Sequence, residues 1–185
     1  MKRYVIITVG KTHSGKTTFA KSLEDRLPNS VVIDQDNHAA FLNTYYKTLI
    51  SSQNSKFLKH AITENIIDYA IFHTDKDLIL CNSNLDHDAR KMLLANFHKN
   101  GFTSVLVYFD LPSHVLHERI SNSGRSSVLN ITVSFEDVLD RQEARYRDGL
   151  WIAPDQQEAN IYFVISDSNQ VEYVKQQVIN ITQAT

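Results

Sequence analysis

Five short runs of consecutive apolar, mostly β-branched residues punctuate the chain: YVIITV (4–9), SVVID (30–34), DLILC (77–81), SVLVYF (104–109) and NIYFVI (160–165). A strand with one wet face alternates apolar and polar positions, whereas these runs do not, so both faces of each strand are predicted to be covered, as in a central parallel sheet. Between them the apolar positions recur at helical spacing over about 16–27, 37–50, 55–73, 86–99, 113–122, 135–148 and 170–182. Start signals accompany several of these: Asp86 ahead of HDARKMLLANF, Ser113 after Leu-Pro, and Ser134 with Asp137 three residues on. Strands and helices in alternation predict a three-layer α/β sandwich with right-handed crossovers. The segment 123–133, SGRSSVLNITV, is polar and irregular between two helices and reads as a flap.

Composition narrows the picture. A length of 185 residues with 42% hydrophobic and 22% charged positions suits one domain over 1–185. A net charge of −2 and a pI near 6.4 give no global positive field, so nucleic acid is a possible but not a favoured partner. The N-terminal MKRYVIITVGK is too short for a secretory core or a bilayer span, and the single cysteine, Cys81, lies in an apolar run; a cytoplasmic protein with no membrane partner is expected. The eight histidines form no metal-ligand pattern, His114 and His117 included. The sequence leaves the oligomeric state open.

Chemistry concentrates where strands end. Gly10-Lys11-Thr12-His13-Ser14-Gly15-Lys16-Thr17 fits G-x-x-x-x-G-K-[ST], directly after a buried strand and directly before the amphipathic run TTFAKSLEDRL. Glycines let the backbone turn N–H groups toward phosphate oxygens, and the following helix N-terminus adds partial positive charge. Contacts to ATP are therefore expected from Gly10, Thr12, His13, Ser14, Gly15, Lys16, Thr17 and Thr18, with Lys16 on the β- and γ-phosphates and the Thr17 hydroxyl on Mg²⁺. Asp34-Gln35-Asp36 ends the second run, where open α/β sheets bind ligands. One carboxylate there can order the metal's water shell and the other can take the proton of an attacking hydroxyl; the outer one, Asp36, is the candidate base, the alternative being that Asp36 or Asn37 caps the next helix. The third run ends LILCN with no acidic residue, which leaves Asp34 to serve the metal. Asn84 could bond substrate or make a turn. Arg119 and Arg125 could close over the phosphates; Arg141 and Arg145, four apart, could join them or pair with Glu136, Asp137 and Glu143.

These residues, in this order, resemble the P-loop kinases that phosphorylate small molecules or polynucleotide ends, among them gluconate kinase, adenylylsulfate kinase, chloramphenicol phosphotransferase, zeta toxins and polynucleotide 5′-hydroxyl kinase. The resemblance implies a P-loop NTPase fold with a five-stranded parallel sheet of order 2-3-1-4-5 and a lid. VVIDQD is similar to the segment whose second aspartate is the base, which implies that role for Asp36. LILCNSNLDHDAR resembles the strand, turn and helix with an Asn-Leu and a later arginine in polynucleotide-kinase-like proteins, which implies substrate contacts from Asn84 and Arg90. LPSHVLHERISNSGR resembles the helix entering the lid, with Arg119 on the adenine side and Arg125 as the lid arginine; the loop Ser166-Asp167-Ser168 would lie near the adenine. The implied activity is ATP- and Mg²⁺-dependent transfer of the γ-phosphoryl group to a hydroxyl of a small metabolite or nucleoside. A polynucleotide 5′-hydroxyl kinase and a nucleotide-binding switch without an acceptor are the alternatives.

Overall fold

The computed structural model describes residues 2–50, 55–123 and 134–184. Along the chain run β1 (Arg3–Gly10), α1 (Lys16–Glu24), β2 (Ser30–Ile33), α2 (Gln35–Tyr45), α3 (Ser55–His73), β3 (Asp77–Cys81), α4 (His87–Lys99), β4 (Phe102–Phe109), α5 (Ser113–Ser121), α6 (Phe135–Arg147), β5 (Ile161–Ile165) and α7 (Gln170–Gln183). The strands form one parallel sheet of order β2-β3-β1-β4-β5, the order implied by the resemblance.

Burial explains the unbroken apolar runs. Alternate residues of β1 face opposite cores: Tyr4 and Ile6 pack with Phe19, Leu23, Val174 and Val178 of α1 and α7, whereas Val5, Ile7 and Val9 pack with Ile67, Ile71, Leu94 and Phe97 of α3 and α4. A third cluster, Leu111, Leu116 and Leu139, seats α5 against α6.

Element ends depart from the sequence reading where side chains intervene. The second helix starts at Gln35 rather than 37 because Asp34 is its cap, its carboxylate accepting the Asp36 amide at 2.9 Å. It stops at Tyr45 rather than 50, where Tyr46 leaves helical geometry. The first helix ends at Glu24 rather than 27, its chain tightening through Arg26 and Leu27 bonds to the Leu23 carbonyl before Pro28. The fourth strand begins two residues early, at Phe102, because Arg3 and Tyr4 of β1 pair with Phe102 and Thr103. Asp86 caps α4 and Ser134 forms a capping box with Asp137, as predicted. Ser113 is instead the first helical residue, and its hydroxyl donates to Glu143.

Candidate active site

All five strands point their carboxyl ends the same way, so the loops that carry the predicted chemistry meet at one edge of the sheet. They enclose a cleft of about 850 Å³ lined by the phosphate loop, Gln35, Asp36, Asn82, Arg119 and Gln142, among others.

The loop itself depends on two glycines. Gly10 ends β1 at φ 154° and donates its amide to the Ser83 carbonyl at 3.0 Å; a Cβ there would lie 2.9 Å from both the Cβ and the carbonyl oxygen of Phe109. Gly15, at φ 100°, caps α1 without a side-chain acceptor, which leaves the first amides of that helix for an anion. We expect Gly10→Ala to lower stability by about 1–3 kcal/mol through overpacking alone, read by urea unfolding, since the neighbouring atoms are backbone and Cβ rather than flexible tips. Within the loop, Lys16 arches back so that Nζ donates to the Lys11 carbonyl at 2.6 Å and to Ser14 Oγ at 3.0 Å.

Opposite α1, the two aspartates separate by role. Asp34 is 3% exposed; its Oδ1 holds the cap and its Oδ2 accepts the Thr17 hydroxyl at 3.4 Å. Asp36 is exposed on the first turn of α2 and lines the cleft. The position at the end of β3 where many P-loop proteins carry a carboxylate is held by Cys81, whose thiol lies 3.5 Å from Thr17 Oγ1. Burial pushes that thiol up to about 11, so it stays protonated and is no ligand for a hard cation. Among the described residues the Thr17 hydroxyl and the Asp34 carboxylate supply the oxygen donors a Mg²⁺ ion prefers, and they stand side by side. Next to them, burial holds the His38 imidazole below its ordinary value, and Nδ1 sits 2.8 Å from Thr63 Oγ1.

Arg119 ties the phosphate loop to the turn after β5: Nη1 donates to the His13 carbonyl at 3.1 Å and Nη2 to Ser168 Oγ at 2.9 Å. Arg125 lies outside the described residues. Arg141 Nε donates to the Asp137 carbonyl at 3.1 Å, and Arg145 lies over the Trp151 ring, so α6 does not pair these two with Glu143. Glu143 instead meets Lys11 at 3.0 Å and the Ser113 hydroxyl. Burial alone would raise its carboxyl; those two bonds outweigh it and hold the group below its ordinary value.

Asn84 and Arg90 are drawn into the scaffold rather than the cleft. Asn84 takes φ 47° and donates its amide to the Thr8 carbonyl at 2.8 Å. Arg90 is 1% exposed; it grips Glu158 through two bonds, at 2.6 and 2.9 Å, and donates to the carbonyls of Asn84, Leu85 and Ile152. Arg90 is thereby committed to the scaffold, while Asn84 is half-buried in the turn after β3. Two neighbours of the loop carried no sequence signal: Gln142, whose Oε1 accepts the Thr12 amide at 2.8 Å, and Lys59, which reaches the cleft from α3. His13 also proves to be more than a loop residue, with Nε2 3.2 Å from Ser123 Oγ and its ring edge-on to Phe135 at 4.7 Å.

Comparison with known proteins agrees with this geometry. APS kinase CysC of Mycobacterium tuberculosis, in complex with AMPPNP and APS, superposes over 98% of each chain with a TM-score of 0.61 at 14% identity. Kti12 of Chaetomium thermophilum, in complex with ADP-AlF3, covers 94% of this chain and 96% of its own with a TM-score of 0.61 at 16% identity. Nicotinamide riboside kinase 1 of Mus musculus is 60% identical over 37 residues, a stretch that spans 20% of this chain and 19% of the mouse protein. The structural likenesses establish a P-loop kinase-like fold. The AAA domain family AAA_33 matches over residues 5–148, and the chain belongs to that family.

Proposed function

We propose that the protein is an ATP- and Mg²⁺-dependent phosphotransferase that moves the γ-phosphoryl group to a hydroxyl of a small metabolite or nucleoside. The observation that carries this reading is the division of labour between two carboxylates: Asp34 is buried in its cap and against Thr17, while Asp36 is exposed to the same cleft and is not the helix cap. In the proposed reaction the acceptor oxygen forms a bond to the γ-phosphorus, the bond from that phosphorus to the β–γ bridging oxygen breaks, and the hydroxyl proton passes to Asp36. Lys16 leaves the Lys11 carbonyl for the β- and γ-phosphates, and Arg119 steadies the loop from the base side. Thr17 and Asp34 would hold Mg²⁺, which supplies charge neutralisation at the phosphate oxygens when bound.

A nucleoside is the first acceptor to try, on the strength of the short, close match to nicotinamide riboside kinase 1. Asn84 and Arg90, which resemble the polynucleotide-kinase element, bond to the protein itself, and this supports a small acceptor over a polynucleotide end. The test is transfer from γ-labelled ATP with Mg²⁺ to nicotinamide riboside, other nucleosides, sugars, antibiotics, sugar nucleotides and 5′-hydroxyl oligonucleotides. Lys16→Ala is expected to lower transfer by about 10²-fold or more by removing a charge aimed at the transferring group. ATP binding with no labelled acceptor across a widening panel would favour a nucleotide switch instead.

A further inference from the structure

The strand order places β3 between the two halves of the proposed chemistry. On one side of it β1 runs into the phosphate loop, and on the other β2 runs into Asp34 and Asp36. The registers carry this to single residues: Cys81 lies level with Thr8 and Leu80 with Ile33, and just beyond the strand the Ser83 carbonyl accepts the Gly10 amide at 3.0 Å. A group that passes from the loop to a hydroxyl at Asp36 therefore crosses the end of β3, where the chain carries Asn82.

Asn82 is half-buried and lines the cleft together with Lys16, Thr17, Gln35 and Asp36. One contact orients its carboxamide. The Gln35 amide meets it at 3.1 Å, and because a backbone N–H only donates, the atom it meets is the oxygen, Oδ1. The other corner of the group is then an NH₂ with two donors, for which the described residues supply no acceptor.

The start of α2 offers no such donor. Asn82 Oδ1 takes the amide of Gln35, Asp34 Oδ1 that of Asp36 at 2.9 Å, and the Asp34 carbonyl that of Asn37 at 3.1 Å, so the first three amides of the helix are all occupied. A helix N-terminus whose amides are taken is a poor anion site. Helix α1 differs, because Gly15 leaves its first amides for the nucleotide phosphates. As the γ-phosphoryl group moves toward Asp36 it moves away from those amides, while its charge spreads over three equatorial oxygens. A neutral carboxamide at the end of β3 supplies a donor at that stage without repulsion.

We infer that Asn82 donates from Nδ2 to the γ-phosphoryl group during transfer, with its oxygen anchored on the Gln35 amide, one residue before the base. The inference rests on the proposed phosphotransfer: the bonds made and broken are those of that reaction, and Asn82 neither gains nor loses a proton. The same anchor ties the transferring group to the helix that carries Asp36.

Asn82→Asp separates this role from a merely structural one, since Asp keeps an oxygen for the Gln35 amide but replaces the donor with a negative oxygen. Calorimetric titration with AMPPNP and with ADP, each with and without Mg²⁺, requires no acceptor. The variant is expected to bind AMPPNP about 10-fold or more weakly through loss of one charge-assisted hydrogen bond, with ADP affinity and melting temperature nearly constant. Once the acceptor is identified, kcat should fall by about 10²–10³-fold, the range for one donor to a developing charge, while KM for the acceptor holds. Asn82→Ala removes anchor and donor together and should show the same selective loss with a lower melting temperature; it serves in place of Asn82→Asp if that variant fails to fold. A parent chain that binds neither nucleotide would overturn this inference and the phosphotransfer reading together. Where both nucleotides bind the parent, an Asn82→Asp variant that weakens them equally, leaves AMPPNP unweakened or keeps the parent kcat would overturn the inference alone.

Discussion

Asp36→Asn is expected to lower phosphoryl transfer by about 10²–10⁴-fold while ATP affinity stays nearly constant, the range a positioned general base contributes. Asn preserves the size and polarity of the side chain but cannot take a proton. The neighbouring carboxylate offers no substitute. Asp34 is 3% exposed, holds the Asp36 amide at 2.9 Å and accepts the Thr17 hydroxyl, so it faces α1 and the start of α2. The substitution leaves that cap intact because the cap uses only the backbone of residue 36. The cap should therefore be unaltered, and nucleotide titration monitored by calorimetry should match the parent chain. Unchanged turnover with the identified acceptor would exclude Asp36 as the base; a parallel loss of nucleotide affinity would instead place it on the nucleotide side of the cleft.

The separation of these two aspartates shows where sequence reasoning reached and where it stopped. The strands were legible because a sheet covered on both faces leaves few polar positions in β1, β3 and β4, with Thr8 and Ser104 themselves buried, and the phosphate loop because its glycines obey a steric rule visible in the letters themselves. That Asp34 caps α2 was not, since a cap one or two residues earlier writes nearly the same sequence. Gln142 and Lys59 were invisible for another reason. Each comes from a helix remote in the chain, and only the docking of α6 and α3 against the cleft brings a polar tip to the loop. Arg90 misled in the opposite sense: a conspicuous arginine after an Asn-Leu turn suggests a ligand contact, but the fold turns it inward.

Glu158→Ala is expected to destabilise the protein by about 3–5 kcal/mol, the cost of leaving a buried charge without its partner. The Arg90 side chain has no exposure and that of Glu158 only 12%, and the pair is bidentate, with Nε at 2.6 Å and Nη2 at 2.9 Å. Arg90 also donates to the carbonyls of Asn84, Leu85 and Ile152, so one guanidinium ties the turn after β3 to the segment between α6 and β5. That turn includes Ser83, whose carbonyl accepts the Gly10 amide, and Asn84, which holds the Thr8 carbonyl; the clamp therefore reaches the floor of the phosphate loop. Arg90→Met/Glu158→Leu removes both charges together and should be more stable than Glu158→Ala alone, though short of the parent chain because three carbonyls lose their donor. Urea unfolding of the parent, Arg90→Met, Glu158→Leu and the double variant measures the coupling directly. A cost below about 1 kcal/mol for Glu158→Ala would show that the pair behaves as a surface ion pair rather than as this clamp.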